Sequence, residues 1–175
     1  MSKKYYIFIA IITLCSIMLD ACSYREEIKN TSNVTTQVST ATNIALKYKL
    51  KELEAAPPDN AKEINPEQIA KREKSIKSLT TKEFFDKQSA DHVYEWALRA
   101  ALIKQSDLKI TYISFRRSNV TEDSSELTYE ATLRFGEEKL TLNGTMTLLK
   151  EGGSWKVNDD QYNADDILEI INTND

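Results

Sequence analysis

The hydrophobic period of this chain changes from about 3.6 residues to about 2 a little beyond its midpoint, and that change limits the folds open to it. Leu127, Tyr129, Ala131, Leu133 and Phe135 alternate with Thr128, Glu130, Thr132 and Arg134. After a turn at Gly136, Leu140, Leu142, Gly144, Met146 and Leu148 alternate with Lys139, Thr141, Asn143, Thr145 and Thr147. Two such runs joined by a short turn make an antiparallel hairpin with one face buried. Residues 108–117 read as an earlier strand. Its phase slips between Tyr112 and Ile113, which predicts a bulge that curves the sheet. A Glu151-Gly152-Gly153 turn leads to a last strand with Trp155 and Val157 inward. Asn163 is then placed to cap a short C-terminal helix, with Asp165 and Asp166 in its positive first turn.

Upstream the pattern is helical. Residues 43–56 carry Ile44, Leu46, Tyr48, Leu50 and Leu53 among Lys and Glu, an amphipathic helix, although the stretch 44–50 alternates and is also compatible with extended chain. Pro57-Pro58 ends it. Pro66 and Glu67 open a second helix over 66–78, with Ile69, Ile76 and Leu79 as a thin apolar stripe and a charged majority facing water. Thr80 followed by Glu83 reads as a capping box. Ser89 offers a second cap, so 81–88 and 90–105 are expected as two helices meeting at a bend. Val93, Trp96, Ala97, Ala100 and Ile103 share one face of the second. A face that wide packs against a sheet. The fold class expected is therefore α+β: N-terminal helices on a curved antiparallel sheet of about four strands, with a short C-terminal helix.

The first residues, MSKKYYIFIAIITLCSIMLDAC, have the layout of a secretory signal: Lys3 and Lys4, an apolar run from Tyr5 to Leu19, then Leu19-Asp20-Ala21-Cys22. The apolar run is short for a membrane span. Leu19-Asp20-Ala21-Cys22 resembles the bacterial lipoprotein box, departing from it in the acidic Asp20. The resemblance implies a diacylglyceryl group on the Cys22 sulfur and cleavage before that residue, so that residues 1–21 leave. An ordinary signal with an incidental cysteine, or an uncleaved anchor helix, fits the same segment. Cys15 leaves with the signal, and Cys22 is then the only thiol, so no internal disulfide is expected. Residues 22–42 are polar, reading NTSNVTTQVSTAT over 30–42, and form an expected flexible tether holding the body about 25 Å from the lipid. Beyond it come a helical extension, 43–79, and an α+β roll, 80–175.

Charge and composition exclude more than they assign. The net charge of −4 and the lack of a concentrated basic patch argue against nucleic acid, since Arg116-Arg117 is the only arginine pair. His92 is the only histidine, which leaves little for a zinc site, and it lacks the Gly-x-Ser-x-Gly elbow of a serine hydrolase. Asp159-Asp160 and Asp165-Asp166 lack the glycine and terminal glutamate of a calcium loop and read as a turn and a helix cap. Four glycines leave little for a phosphate loop. No metal, cofactor or catalytic residue is assigned.

YEATLRFGEEKLTLNGTMTLLKEGGSWKVN, at 129–158, resembles the final hairpins of nuclear transport factor two-like and cystatin-like α+β rolls, with Trp155-Lys156-Val157 following a Gly-containing turn. The resemblance implies a cone of sheet wrapped on a helix, serving as an enzyme pocket, a ligand cavity or a filled core. Trp96, Tyr112, Tyr129, Phe135, Met146 and Trp155 are the residues expected to line that cavity or core. Enzymes of this kind need a buried carboxylate and an oxyanion donor, for which Glu95, Tyr112 and Tyr129 are the candidates. Exported members tend to be accessory modules of cell-wall or conjugation machinery. The function expected is thus a lipid-anchored, non-enzymatic module outside the cytoplasmic membrane, binding another envelope protein, such as an accessory or exclusion lipoprotein of a mobile element. A cone for a small apolar ligand, and an isomerase or hydrolase of low activity, are the alternatives.

Overall fold

The computed structural model describes residues 25–28, 41–58 and 63–173. Four helices, α1 (Ala41–Leu53), α2 (Pro66–Lys77), α3 (Lys82–Ala90) and α4 (Val93–Lys104), precede four long strands. These are β2 (Leu108–Val120), β3 (Ser124–Phe135), β4 (Glu138–Glu151) and β5 (Ser154–Tyr162), followed by a short helix α5 (Asp165–Asn172). A four-residue strand β1 (Arg25–Ile28) lies at the edge, and the sheet order is β1-β2-β3-β4-β5, antiparallel throughout. The α+β class expected from the change of period is the fold observed.

The hairpin read from strict alternation is in place. Leu127, Tyr129, Ala131, Leu133 and Phe135 pair with Met146, Gly144, Leu142, Leu140 and Glu138, and their inner faces are buried. Leu142, Met146 and Leu148 join Ala97, Ala100 and Ala101 of α4 in one core. Small residues on α4 let the helix backbone approach the sheet closely.

Three register shifts interrupt the outer strands, two in β2, at Thr111 and Ser118, and one in β5. In β2 the register shifts between Ile110 and Tyr112, so Thr111 is the extra residue. The slip was expected one residue later, and the difference turns Tyr112 to the opposite face, opposite Thr132. In β5 Val157 pairs with Leu148 and Asp159 with Thr147, which leaves Asn158 unpaired. Beyond this bulge Asp160 and Tyr162 share the inner face with Met146 and Gly144, their partners. The acidic pair read as a turn is therefore strand, and one of its carboxyls points into the core.

Caps differ from expectation in instructive ways. Thr81, not Thr80, caps α3 by accepting from the Phe84 amide; the Thr80 hydroxyl turns back to the Ile76 carbonyl. Asn65 and Gln68 form a full capping box at α2. The bend before α4 is made by His92 in the left-handed region, φ 56°, with no side-chain cap from Ser89. Asn163 does not cap α5: its side chain accepts from the Asn143 amide at 2.6 Å and donates to the Thr141 carbonyl, while Ala164 takes the cap position.

The N-terminal elements belong to the same body. Ala45, Tyr48 and Leu53 of α1 lie in the core with the strands, and Ala55 exchanges backbone hydrogen bonds with Leu108. Leu79 and Thr81 bridge in parallel to Val157. The tether expected over 22–42 contains β1, whose register runs from Arg25 opposite Arg116 to Ile28 opposite Ile113. β2 offers an unpaired edge there, and a short segment pairing with it satisfies those amides and carbonyls. The signal segment and Cys22 lie outside the described residues, as does most of the rest of the tether.

Candidate functional site

Inside the core, three ionisable side chains meet. Lys49 and Glu52, one turn apart on α1, are 0 % and 1 % exposed, and the Lys49 ammonium stands 2.7 Å from Glu52 Oε2. Asp160, delivered by the β5 bulge, places Oδ2 2.5 Å from the same ammonium, and its side chain is 1 % exposed. The Tyr129 hydroxyl donates to Asp160 Oδ1 at 2.8 Å, and the Tyr162 hydroxyl donates to Glu52 Oε1 at 3.1 Å. The ammonium also lies over aromatic faces, 3.8 Å from the Tyr162 ring centroid and 4.9 Å from that of Tyr129. Cation–π attraction is strongest where water is excluded, as it is here.

One ammonium cannot neutralise two carboxylates. The Arg72 guanidinium on α2 brings a second positive charge, donating to the carbonyls of Lys51, Glu52 and Glu54 at the C-terminal end of α1. Burial lowers its pKa, and Glu52 opposes that effect. At Asp160 burial dominates and pushes the carboxyl up to about 7; Lys49 works against this shift and Glu52 adds to it. Burial likewise raises the hydroxyls of Tyr48, Tyr129 and Tyr162, with Glu52 and Asp160 reinforcing it. Chemically the cluster holds a proton near neutrality on a carboxyl bonded to a tyrosine. Lys49, Tyr129 and Tyr162 cover that carboxyl.

Gly144 makes this arrangement sterically feasible. A Cβ there would lie 2.6 Å from the Tyr129 ring and hydroxyl and 2.7 Å from the Gln161 carbonyl oxygen. Tyr129 therefore lies across bare backbone and reaches Asp160.

On the other side of the same backbone the sheet carries an open recess of about 700 Å³. Ser114, Glu130 and Asn143 form one cross-strand row on that face, and Arg116, Thr128, Thr145 and Gln161 the next. Its lining is mixed in charge and mostly polar. A second open recess, of about 620 Å³, lies among α4, α5 and β4.

The residues expected to line a cavity divide. Tyr129, Phe135 and Met146 are buried in the core, with Tyr129 against Phe115 at 5.7 Å between centroids. Trp96 and Trp155 are half-buried and pack against the core from its margin. Tyr112 is half-buried on the opposite face. Glu95 is engaged by His92 and Arg99 near the surface and does not join the buried carboxylates. Sequence reading missed Lys49, Glu52 and Asp160, which are the chemistry-bearing residues of the interior. A signal for two of them existed: Ala45, Tyr48, Lys49, Glu52 and Leu53 fall at the i, i+3, i+4, i+7, i+8 spacing of a buried helix face.

Among the described residues no group of three or more His, Cys, Asp or Glu is placed to hold a metal ion, and no helix is long and apolar enough to cross a membrane. No protein-family model matches the chain, and no characterised protein matches it in sequence.

Proposed function

We propose that this protein is a lipid-anchored, non-enzymatic module of the bacterial envelope, held outside the cytoplasmic membrane through Cys22, and that it binds another envelope protein on the open face of its sheet. One observation carries the reading. The space under the sheet, where a roll of this kind would hold a small ligand, is occupied by Lys49, Glu52 and Asp160 with Tyr129 and Tyr162, while the accessible hollow lies outside. A shallow recess with rows of hydroxyls, amides and opposite charges suits a polypeptide surface better than an apolar small molecule. The exported accessory modules that the final hairpins resemble give the concrete version, an accessory or exclusion lipoprotein of a mobile element.

The test joins anchor and face. Protein purified from membranes should carry acyl groups on an N-terminal Cys22 by mass spectrometry, and cross-linking in intact cells should capture an envelope protein. Thr128→Trp and Thr145→Trp, which fill the recess from exposed positions, should abolish that capture without changing membrane fractionation. Capture that persists in both variants removes the sheet face from the proposal.

A catalytic reading has one observation in its favour: Asp160 is a buried carboxyl near neutrality with a tyrosine donor, the pair such chemistry requires. The ion pair with Lys49 and the 1 % exposure of the side chain weigh against contact with a substrate. Partner capture unaffected by Asp160→Asn, in a variant that folds, supports the binding reading.

A further inference from the structure

We infer that the hairpin end of the sheet bearing Val120 and Trp155 rests on the lipid surface, so that the body is docked at the bilayer and not suspended above it. The inference deepens the proposed function and rests on the anchor at Cys22.

Chain length is the first argument. Only Ser23 and Tyr24 separate the anchor position, Cys22, from β1, which begins at Arg25. At the reach of an extended chain that is at most about 11 Å between the two Cα atoms. The polar stretch 29–40 follows β1, so it connects β1 to α1 and adds nothing to the distance from the membrane.

Direction is the second. β1 runs antiparallel to β2 with Arg25 opposite Arg116, so the chain enters β1 from the side where β2 ends at Val120. The β2–β3 and β4–β5 turns lie at this end, and the β3–β4 turn at Gly136 lies at the other. The tethered end is therefore known from register.

Surface chemistry is the third. Val120, 55 % exposed, is the one exposed large hydrophobic side chain among the described residues, and it stands at the tip of β2. Trp155, half-buried beside the β4–β5 turn, has the Lys150 ammonium 5.8 Å above its ring. Tryptophan with a neighbouring cation suits the headgroup layer, where an apolar ring and a polar rim are both accommodated. Arg116 and Arg117 are exposed near the same end, as are Glu122, Asp123 and Glu151. The acidic residues offset the basic ones, so attraction to anionic lipid is not the driving term. Contact depends on the anchor, which holds a weakly apolar tip at high local concentration against the interface.

The experiment uses the full chain, purified from membranes and reconstituted into zwitterionic phosphatidylcholine vesicles. Val120→Cys and, at the far end, Glu137→Cys are each labelled with an environment-sensitive fluorophore. Both positions are exposed, so neither change removes a core contact. The expected result is a blue shift at position 120 and quenching there by brominated lipid, with position 137 left in water and unquenched. Equal spectra at the two positions, in protein shown by mass to be acylated, overturn the docking while leaving the anchor intact. Protein with no acyl group overturns the anchor itself, and the docking with it. A Gly/Ser spacer of twenty residues inserted before Arg25 should relieve the quenching at 120; quenching that persists without change overturns the short-tether argument.

Discussion

The Lys49 ammonium stands 2.5 Å from Asp160 Oδ2 inside the core, and this pair joins the first helix to the last strand. Glu52 shares the same ammonium at 2.7 Å. Removing the cation leaves two carboxylates facing each other away from water, whereas removing one carboxylate leaves a balanced pair. Breaking a buried ion pair from one side typically costs about 3–5 kcal/mol. Lys49→Ala should therefore lower the unfolding free energy by about that amount, read as a shift in urea midpoint at unchanged slope. Lys49→Met with Asp160→Asn and Glu52→Gln should recover much of it. A Lys49→Ala midpoint near the parent's would mean that water reaches the cluster.

The same cluster sets a pH dependence. Burial raises the Asp160 carboxyl from 3.8 to about 7, with Lys49 opposing and Glu52 reinforcing. Tyr129 and Tyr162 from the sheet, Tyr48 from α1 and Tyr94 from α4 complete its surroundings, and none of their hydroxyls ionises in this range. The folded state thus holds the proton more tightly than the unfolded chain. The contribution of this group is full below the ordinary carboxyl value and is lost as pH rises through about 7. Stability should fall between about pH 4 and pH 7, by up to about 1.4 kcal/mol per unit from this group. Urea midpoints across that interval, for the parent and for Asp160→Asn, measure it; the variant should lose this slope.

How much of this was legible in the sequence depends on where backbone irregularity intervenes. The β3–β4 hairpin was readable because alternation continues unbroken from Leu127 to Leu148 and both strands pair without a shift. β2 shifts register twice and β5 once, and each extra residue moves the side chains after it to the other face. Sequence pattern alone therefore points Tyr112 inward and puts Asp160 in a turn. Bulges leave little trace in composition, since neither Thr111 nor Asn158 is a glycine. Lys49 and Glu52 were passed over for a different reason: charge on a helix ordinarily marks the wet face, and only the positions of Ala45, Tyr48 and Leu53 around them reveal the buried side. Strand phase points Trp155 inward, but it sits near the strand's start, where the core thins. The cost of Trp155→Ala should accordingly fall below the 3–5 kcal/mol typical of a fully buried tryptophan, at about 1–2 kcal/mol.

Gly144 offers a test confined to packing. Its missing side chain lets Tyr129 lie across the β4 backbone, and an added Cβ would meet the ring and hydroxyl at 2.6 Å and the Gln161 carbonyl at 2.7 Å. The first neighbour can rotate away; the second is backbone and cannot. Gly144→Ala should destabilise the fold by about 1–3 kcal/mol, the usual range for overpacking. Tyr129→Phe keeps the ring and deletes only the hydrogen bond to Asp160, so it should cost less unless the exposed need of that carboxylate dominates. Thermal unfolding of the two variants separates steric from polar terms, and an unperturbed Gly144→Ala would mean that the Gln161 carbonyl does not crowd a Cβ at this position.

Under the proposed anchor, Cys22 sets where the rest of the chain is held. One acyl chain gives marginal, reversible membrane binding, and two give stable anchoring, because each buried methylene contributes about 0.8 kcal/mol. A thioether-linked diacylglyceryl group on Cys22 would supply both chains at a single atom. Cys22→Ser removes the only thiol that loss of residues 1–21 would leave. The expected outcome is a protein that no longer fractionates with membranes after high-salt washing and carries no acyl label. Retention of the Cys22→Ser protein in the membrane would point instead to an uncleaved apolar segment, and N-terminal mass would then begin at Met1.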